Sequence, residues 1–286
     1  MKRLSIIIAA LAALVAGCTR EVDIKPDTPS QSDQIHVRRI YAEKYMVLEA
    51  VNNLSGTWDT LNVAHIEKYL TQEWFWNGDR LDSIVNRSVG VPITARFTYD
   101  DDGRPTRYEN FIEGGSTGQY VLYHYDAEGR LSKYELYMGD TLSETGIIDS
   151  YVGDKISHMK YKNLLYDVDI DYIFAAGNVT EMVVDGTIDG KYLHVAYSFT
   201  YDNSPNPFSS CLFNITSPRE PNKWITANNI LTEFTRTVEG DMEARDTRTD
   251  YEYRYENNIP VEKTFASYTG NDYSRMTTIS KEHYEY

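Results

Sequence analysis

Three carboxylates at alternate positions, Asp167, Asp169 and Asp171 in "DVDID", come nearer to a ligand set than any other stretch of this chain. On a strand, alternate residues share one face about 6.6–7 Å apart. Three like charges so placed repel unless water or a cation neutralises them. They are the candidate cation-binding group, and a solvated strand face is the simpler reading. Trp74 and Trp76 also alternate, with Phe75 opposite. Aromatic faces stack on sugar rings, which makes the two tryptophans the candidate glycan-stacking pair. Their structural alternative is to cap an apolar interior. The six histidines are scattered, with no pairing at metal spacing. "DDDG", Asp100 to Gly103, lacks the alternating ligands and distal Glu of a calcium loop. No P-loop is present. These residues predict no catalytic residue, no metal and no cofactor, and so a non-enzyme. The enzymatic alternative is a carboxylate-dependent hydrolase, which would need two acids about 5–9.5 Å apart in a cleft.

The elements that must hold these residues announce themselves by repetition. "RFTYDDDGRPTRYENF" and "LYHYDAEGRLSKYELY" share the pattern Tyr-Asp-x-x-Gly-Arg, with Tyr99 and Tyr125 separated by 26 residues. Aromatic anchors before turns fall at Trp76, Tyr99, Tyr125, Tyr151, Phe174, Tyr201 and Tyr255, at intervals of 23, 26, 26, 23, 27 and 54. The last interval is twice 27 and predicts a further turn near residue 226, at Asn228-Asn229. Between anchors the period is two. Tyr251, Tyr253 and Tyr255 share one face, and Glu252, Arg254 and Glu256 the other, the mark of a strand with one sheltered and one wet side.

Side-chain chemistry supplies the turns. Asp100 and Asp126 can accept backbone N–H bonds, and Gly103 and Gly129 suit a left-handed position closing a hairpin. These four are structural turn residues. Residues 66–76 read as strand. Residues 40–51 are open between helix and strand, because Tyr41, Tyr45 and Leu48 have helical spacing. The fold class is all-β: an up-and-down antiparallel meander of about 14 strands. Open sheets rarely exceed about 10 strands, so it should form a curled sheet or barrel-like wrap.

The start of the chain bears on location. Lys2 and Arg3 precede an apolar run, Ile6 to Ala16, too short to span a membrane. It ends in Leu14-Val15-Ala16-Gly17-Cys18, which resembles the bacterial lipobox, whose cysteine is lipidated. Residues 1–17 are therefore read as a lipoprotein signal peptide. Residues 18–34 are the lipidated Cys18 and a flexible tether, free of aromatics from Thr19 to Gln34. Residues 35–286 form a single β-domain of hairpin repeats. The net charge of −15 argues against nucleic acid as a partner and against docking on anionic headgroups. The membrane is met through the lipid anchor only, and the other expected partner is a glycan or an envelope protein. With Cys18 acylated, Cys211 has no partner for an intramolecular disulfide and reads as a small buried residue.

The Tyr-Asp-x-x-Gly-Arg hairpins resemble YD repeats, the units of large bacterial shell-forming toxins and teneurins. The lipobox, the tether, "TYDNSPNPF" at Thr200 to Phe208, Asn228-Asn229 and a final strand pair (Tyr251 to Phe265, Thr278 to Tyr286) resemble a family of uncharacterised Bacteroidetes-type envelope lipoproteins. That resemblance implies an antiparallel sheet of porin-like or curled form in the cell envelope, and carries no activity with it. The expected function is binding or scaffolding by a lipid-anchored outer-membrane protein, periplasmic or surface-facing. The alternative is a carbohydrate-binding accessory protein of polysaccharide uptake.

Overall fold

The structure, a computed structural model, describes residues 36–52, 58–87, 90–209, 226–269 and 275–286. The signal segment, Cys18, the tether and Cys211 lie outside the described residues. Ile35–Tyr286 forms one compact unit.

Sixteen strands run in chain order through it: β1 (Arg39–Asn52), β2 (Trp58–Asn77), β3 (Arg80–Asn86), β4 (Ile93–Tyr99), β5 (Pro105–Ile112), β6 (Gly115–Tyr125), β7 (Leu131–Met138), β8 (Thr141–Val152), β9 (Lys155–Asn163), β10 (Tyr166–Ala175), β11 (Asn178–Ile188), β12 (Lys191–Pro205), β13 (Asn228–Glu239), β14 (Arg245–Glu256), β15 (Ile259–Thr269) and β16 (Arg275–Glu285). Each pairs antiparallel with its neighbours in sequence. β1 also pairs with β16, Ile40 opposite Tyr284, so the meander closes into a barrel. The strand count comes close to the expected fourteen, and one expectation, the turn at Asn228-Asn229, needs correction. The strands number sixteen among the described residues, because β1 and β16 add a pair to the seven hairpins and seal the seam. Residues 40–51, left open, are strand. Asn228-Asn229 is not a turn but the start of β13. The chain between β12 and β13 makes one long connection, and the doubled interval reflects that excursion.

The two faces of the wall differ in chemistry most plainly at β10. Along β10, Val168, Ile170 and Tyr172 are buried while Asp167, Asp169 and Asp171 are exposed. Inward residues of β6 to β13 meet in one core, with Val121, Tyr134, Met159, Ile170 and Met182 almost wholly buried. A round sixteen-stranded barrel leaves an aqueous channel. Side chains this deeply buried require opposite walls to approach each other. Within one wall, Gly146 makes room for a bulky inward ring: a methyl group there would fall inside the ring of its cross-strand partner Tyr134. A second cluster, Val37, Ile40, Trp74, Leu81, Phe208 and Tyr284, fills the barrel beside the β1–β16 seam.

The Tyr-Asp turns all lie at one end of the barrel, and their geometry accounts for the repeat. Gly103 and Gly129 have φ of +81° and +80°. Asp100 Oδ1 accepts the Arg104 N–H (2.8 Å), and Asp126 Oδ1 accepts that of Arg130 (2.8 Å). The anchors Trp76, Tyr99, Tyr125, Tyr151 and Tyr201 then reach back to the start of the preceding strand, whereas Phe174 has no donor and Tyr255 donates to Asp202. Tyr99 donates to the Leu81 carbonyl (2.6 Å), Tyr125 to Pro105 (2.7 Å), Tyr151 to Leu131 and Tyr201 to Val179 (2.5 Å). Trp76 Nε1 does the same to Val37 (2.8 Å), and Tyr286 to Pro260 (2.6 Å). The arginine that ends a unit covers the next anchor: Arg104 lies 5.0 Å from the Tyr125 ring centre and Arg130 4.9 Å from that of Tyr151. The aromatic therefore staples one hairpin to the last, and the arginine reaches forward to the next.

Candidate functional site

Behind this rim the interior is not uniform. From β6 to β12 it is mostly apolar and packed, with Glu144 held by the Tyr161 hydroxyl and a smaller opening of about 220 Å³ beside Tyr166, Ile188 and Leu193. From β13 to β16 the inward positions carry Glu233, Thr249, Tyr251, Tyr253, Lys263, Phe265, Ser267 and Glu282, and here a partly open cavity of about 310 Å³ remains. Register places these groups on one wall: Glu233 opposite Thr249, Thr249 opposite Ser267, and Lys263 opposite both Tyr253 and Glu282.

The cavity is capped at the Tyr-Asp end by the "TYDNSPNPF" segment, whose residue types explain its course. The Asn206 amide N–H donates to the Thr226 carbonyl (3.1 Å) and its carbonyl oxygen accepts the Phe208 N–H (3.0 Å). This turn drives the Phe208 ring inward against Trp74 and Tyr284, with centroids at 5.7 and 5.6 Å. Asn229 ties down the other side, donating to the carbonyls of Ser204 (3.2 Å) and Pro205 (3.3 Å).

Inside the cavity Lys263 is only 8% exposed, and its ammonium lies 2.7 Å from Glu282 Oε2. The Tyr284 hydroxyl donates to the same oxygen (2.7 Å), and Tyr251 donates to Glu233 Oε2 (3.1 Å). Lys263 also sits 5.7 and 5.4 Å from the ring centres of Tyr251 and Phe265. Burial, and then the negative charge of Glu233, pushes the Tyr251 phenol well above its ordinary range, so it remains a donor. Burial likewise raises Tyr253, and Tyr197 across the interior is pushed up to about 12. The cavity therefore offers neutral donors, one buried ion pair, a second carboxylate and aromatic faces. Sequence pattern alone missed it. Lys263, Glu282 and Glu233 lie on three strands that are not marked by any common motif, and only the alternation of "DYEYRYEN" hinted at an inward tyrosine row.

The residues singled out in the sequence fall elsewhere. Asp167, Asp169 and Asp171 are on the outer face, beside Lys162, Lys160 and His158 of β9. Lys162 Nζ is 2.6 Å from Asp167. His158 Nδ1 is 2.7 Å from Asp171, and its Nε2 is 3.4 Å from Asp169 and 3.5 Å from Asp149. Partial burial works against the imidazolium, but the Asp171 hydrogen bond and the three carboxylate charges outweigh it, and the His158 pKa is raised. Among the described residues no group of three or more His, Cys, Asp or Glu is arranged to hold a metal ion. Trp74 is buried in the seam cluster, 4% exposed, and Trp76 stacks on His36 with ring centroids 4.1 Å apart. Neither lines the cavity.

Asp100, Gly103, Asp126 and Gly129 occupy turns at the rim and share no pocket. The string Gly114-Gly115-Ser116-Thr117-Gly118 has the letters of a hydrolase nucleophile elbow, a strand-to-helix turn. Here Gly114 ends the β5–β6 turn and Gly115 to Gly118 open strand β6 with no helix following, and Ser116 Oγ donates to Glu109.

No protein-family model matches the chain, and no curated protein matches it. Among the solved structures that resemble it in outline are two from Bacteroides. One is a porin-like protein from Bacteroides vulgatus, 13% identical, TM-score 0.41, covering 88% of this chain and 98% of that one. The other is a porin-like protein from Bacteroides uniformis, 13% identical, TM-score 0.45, covering 87% and 96%. At this identity and TM-score neither bears on the role of any residue.

Proposed function

We propose that this protein is a lipid-tethered envelope protein whose barrel works in water and binds a small molecule in its interior cavity, without conducting across a membrane. The observation that carries this reading is the polarity of the outer wall. A membrane-spanning barrel turns an apolar band about 25 Å tall to lipid, and an outward Lys or Arg costs about 2–4 kcal/mol at the midplane. This wall instead carries exposed Asp149, Lys160, Asp169 and Asp185 on β8 to β11 and Arg236 and Arg254 on β13 and β14, while the apolar core lies inward. Attachment to the membrane then falls to Cys18, since each buried acyl methylene contributes about 0.8 kcal/mol.

The test is phase partitioning in a cloud-point detergent. The mature chain with Cys18→Ser should fold without detergent and remain in the aqueous phase, while the acylated chain enters the detergent phase. A Cys18→Ser barrel that needs detergent to fold, or that gives conductance steps in planar bilayers, overturns the reading.

Scaffolding is a second reading with its own support. At the end opposite the Tyr-Asp turns, an apolar side chain is exposed in or at the strand end beside each of six successive connections: Val91, Ile112, Met138, Leu164, Tyr192 and Met242. Such rims mark contact surfaces. Leu164→Asp with Met242→Asp should abolish any association made through this end and leave ligand binding intact. Association that survives the double variant removes the scaffold reading.

A further inference from the structure

The cavity between the Asn206–Phe208 segment and β13–β16 also indicates what it holds. We propose that it takes a neutral polyhydroxylated ring, a single sugar residue. This rests on the binding reading above and names the ligand of that same site.

Charge decides against other classes. The lining has two carboxylates, Glu233 and Glu282, and one ammonium, Lys263. An anion entering would meet both acids. A cation would compete with Lys263 for Glu282, which already accepts from Lys263 and Tyr284 at 2.7 Å each. A wholly apolar ligand would strip water from a buried ion pair and return no hydrogen bond, a loss that burial makes large. A sugar hydroxyl is donor and acceptor at once, so it can bond to an ammonium and a carboxylate together, or join the Thr249 and Ser267 hydroxyls, 3.1 Å apart.

The remaining surfaces suit the rest of such a ring. Tyr251, Tyr253 and Phe265 give flat apolar faces next to these polar groups, matching the C–H face of a pyranose. Lys263, held over two of the rings and locked to Glu282, is fixed before the ligand arrives, which lowers the ordering cost of binding. Volume sets the size. At about 310 Å³ the cavity stands at the lower end of ligand sites, which run from about 300 to 1,000 Å³. One sugar residue fits, either free or as the exposed end of a glycan, and a bound oligosaccharide would have to extend outward.

The experiment is calorimetric titration of the full mature chain carrying Cys18→Ser. The probes are glucose, galactose, mannose and N-acetylglucosamine, with glucuronate, glucosamine and laurate as charged and apolar comparisons, and oligosaccharides ending in whichever sugar binds. At least one neutral sugar should bind saturably and raise the melting temperature. Lys263→Met and Thr249→Val should each weaken it about tenfold or more while melting cooperatively, and Leu164→Ser at the far rim should not change it. Tighter binding of the oligosaccharide identifies a glycan end as the source, and equal binding the free sugar. Preference for laurate, glucuronate or glucosamine, lost in the same two variants, overturns the sugar assignment but leaves the cavity as a binding site. If no probe binds, or if the neutral sugar binds equally to both variants, the sugar assignment is overturned. In the latter case the binding site lies elsewhere.

Discussion

Replacing Gly103 by alanine tests the rim in a way that separates two contributions. Gly103 has φ of +81°, and an added methyl would lie 2.9 Å from the Arg80 Nη2. The left-handed conformation costs an L-residue about 1–2 kcal/mol. Pushing Arg80 aside also weakens its contact with the Tyr99 ring, 5.7 Å away, a cation–π interaction worth about 0.5–1 kcal/mol at an exposed site. The sum is about 1.5–3 kcal/mol. In a domain of this size each kcal/mol lowers the melting temperature by about 2–4 °C, so Gly103→Ala should melt about 3–12 °C lower. Gly78→Ala is the matched control. Its φ is +61°, but a methyl there meets nothing within 4 Å, so only the backbone part applies. Gly115→Ala, whose added methyl would make an ordinary 3.6 Å contact and whose φ is not left-handed, should be nearly silent. Circular dichroism at 218 nm during a thermal ramp, repeated in urea, reads all three. The expected order of loss is Gly103, then Gly78, then Gly115. A Gly103→Ala protein as stable as Gly115→Ala refutes both the turn geometry and the forward reach of the arginine.

Tyr125→Phe removes the hydroxyl that donates to Pro105 and keeps the ring under Arg104, so it should cost about 0.5–1.5 kcal/mol in urea melts. A loss above about 3 kcal/mol would mean the ring, not the bond, has been disturbed. Glu144→Gln should raise stability at neutral pH. Burial lifts the Glu144 pKa, although the Tyr161 hydroxyl bond at 2.6 Å opposes it. An acid raised in the folded state contributes stability fully below its unfolded pKa of about 4.3, and loses it as pH rises through the folded value. The Gln variant should therefore gain over wild type at pH 7, with the gap closing toward pH 4; an equal gap at both ends removes the argument. The interior phenols follow the same sign at high pH. Burial pushes Tyr151 and Tyr197 up to about 12 and Tyr253 further. Absorbance at 295 nm should thus show their ionisation only together with cooperative alkaline unfolding, not as a separate titration near pH 10.

How much of this was legible in the chain follows from what each feature depends on. Turn chemistry is local. Asp100, Gly103 and Arg104 lie within five residues, so the hairpins and their two-residue period could be read directly. The same locality misled at Asn228-Asn229: an Asn pair has turn chemistry anywhere, but here its partners are the Ser204 and Pro205 carbonyls, more than twenty residues earlier. Closure was not legible, because β1 pairs with β16 across some 240 residues and its tyrosines have the spacing of a helix as well as the types of a strand. The cavity is harder still. Its groups are brought side by side by register between strands that no common motif marks, and the curve that closes the wall over them leaves no pattern in sequence.

The repeat and the cavity are linked by that same curvature. Seven hairpins with identical staples would build a wall that buries the same residues in every unit, and from β6 to β12 the barrel comes close to doing so. Uniformity ends where the repeat is interrupted between β12 and β13. The connection carries Phe208 into the interior, and its ring takes space beside the seam that inward side chains would otherwise fill. The neighbouring strands then carry Lys263, Glu282 and Glu233 at positions that are Val, Ile or Met elsewhere. A buried ion pair is worth little to stability compared with well-packed apolar side chains. Lys263→Met with Glu282→Leu should accordingly leave the barrel as stable or more so, by up to about 4 kcal/mol. If the double variant unfolds instead, the pair is part of the structure, and its retention in the cavity no longer argues for a ligand.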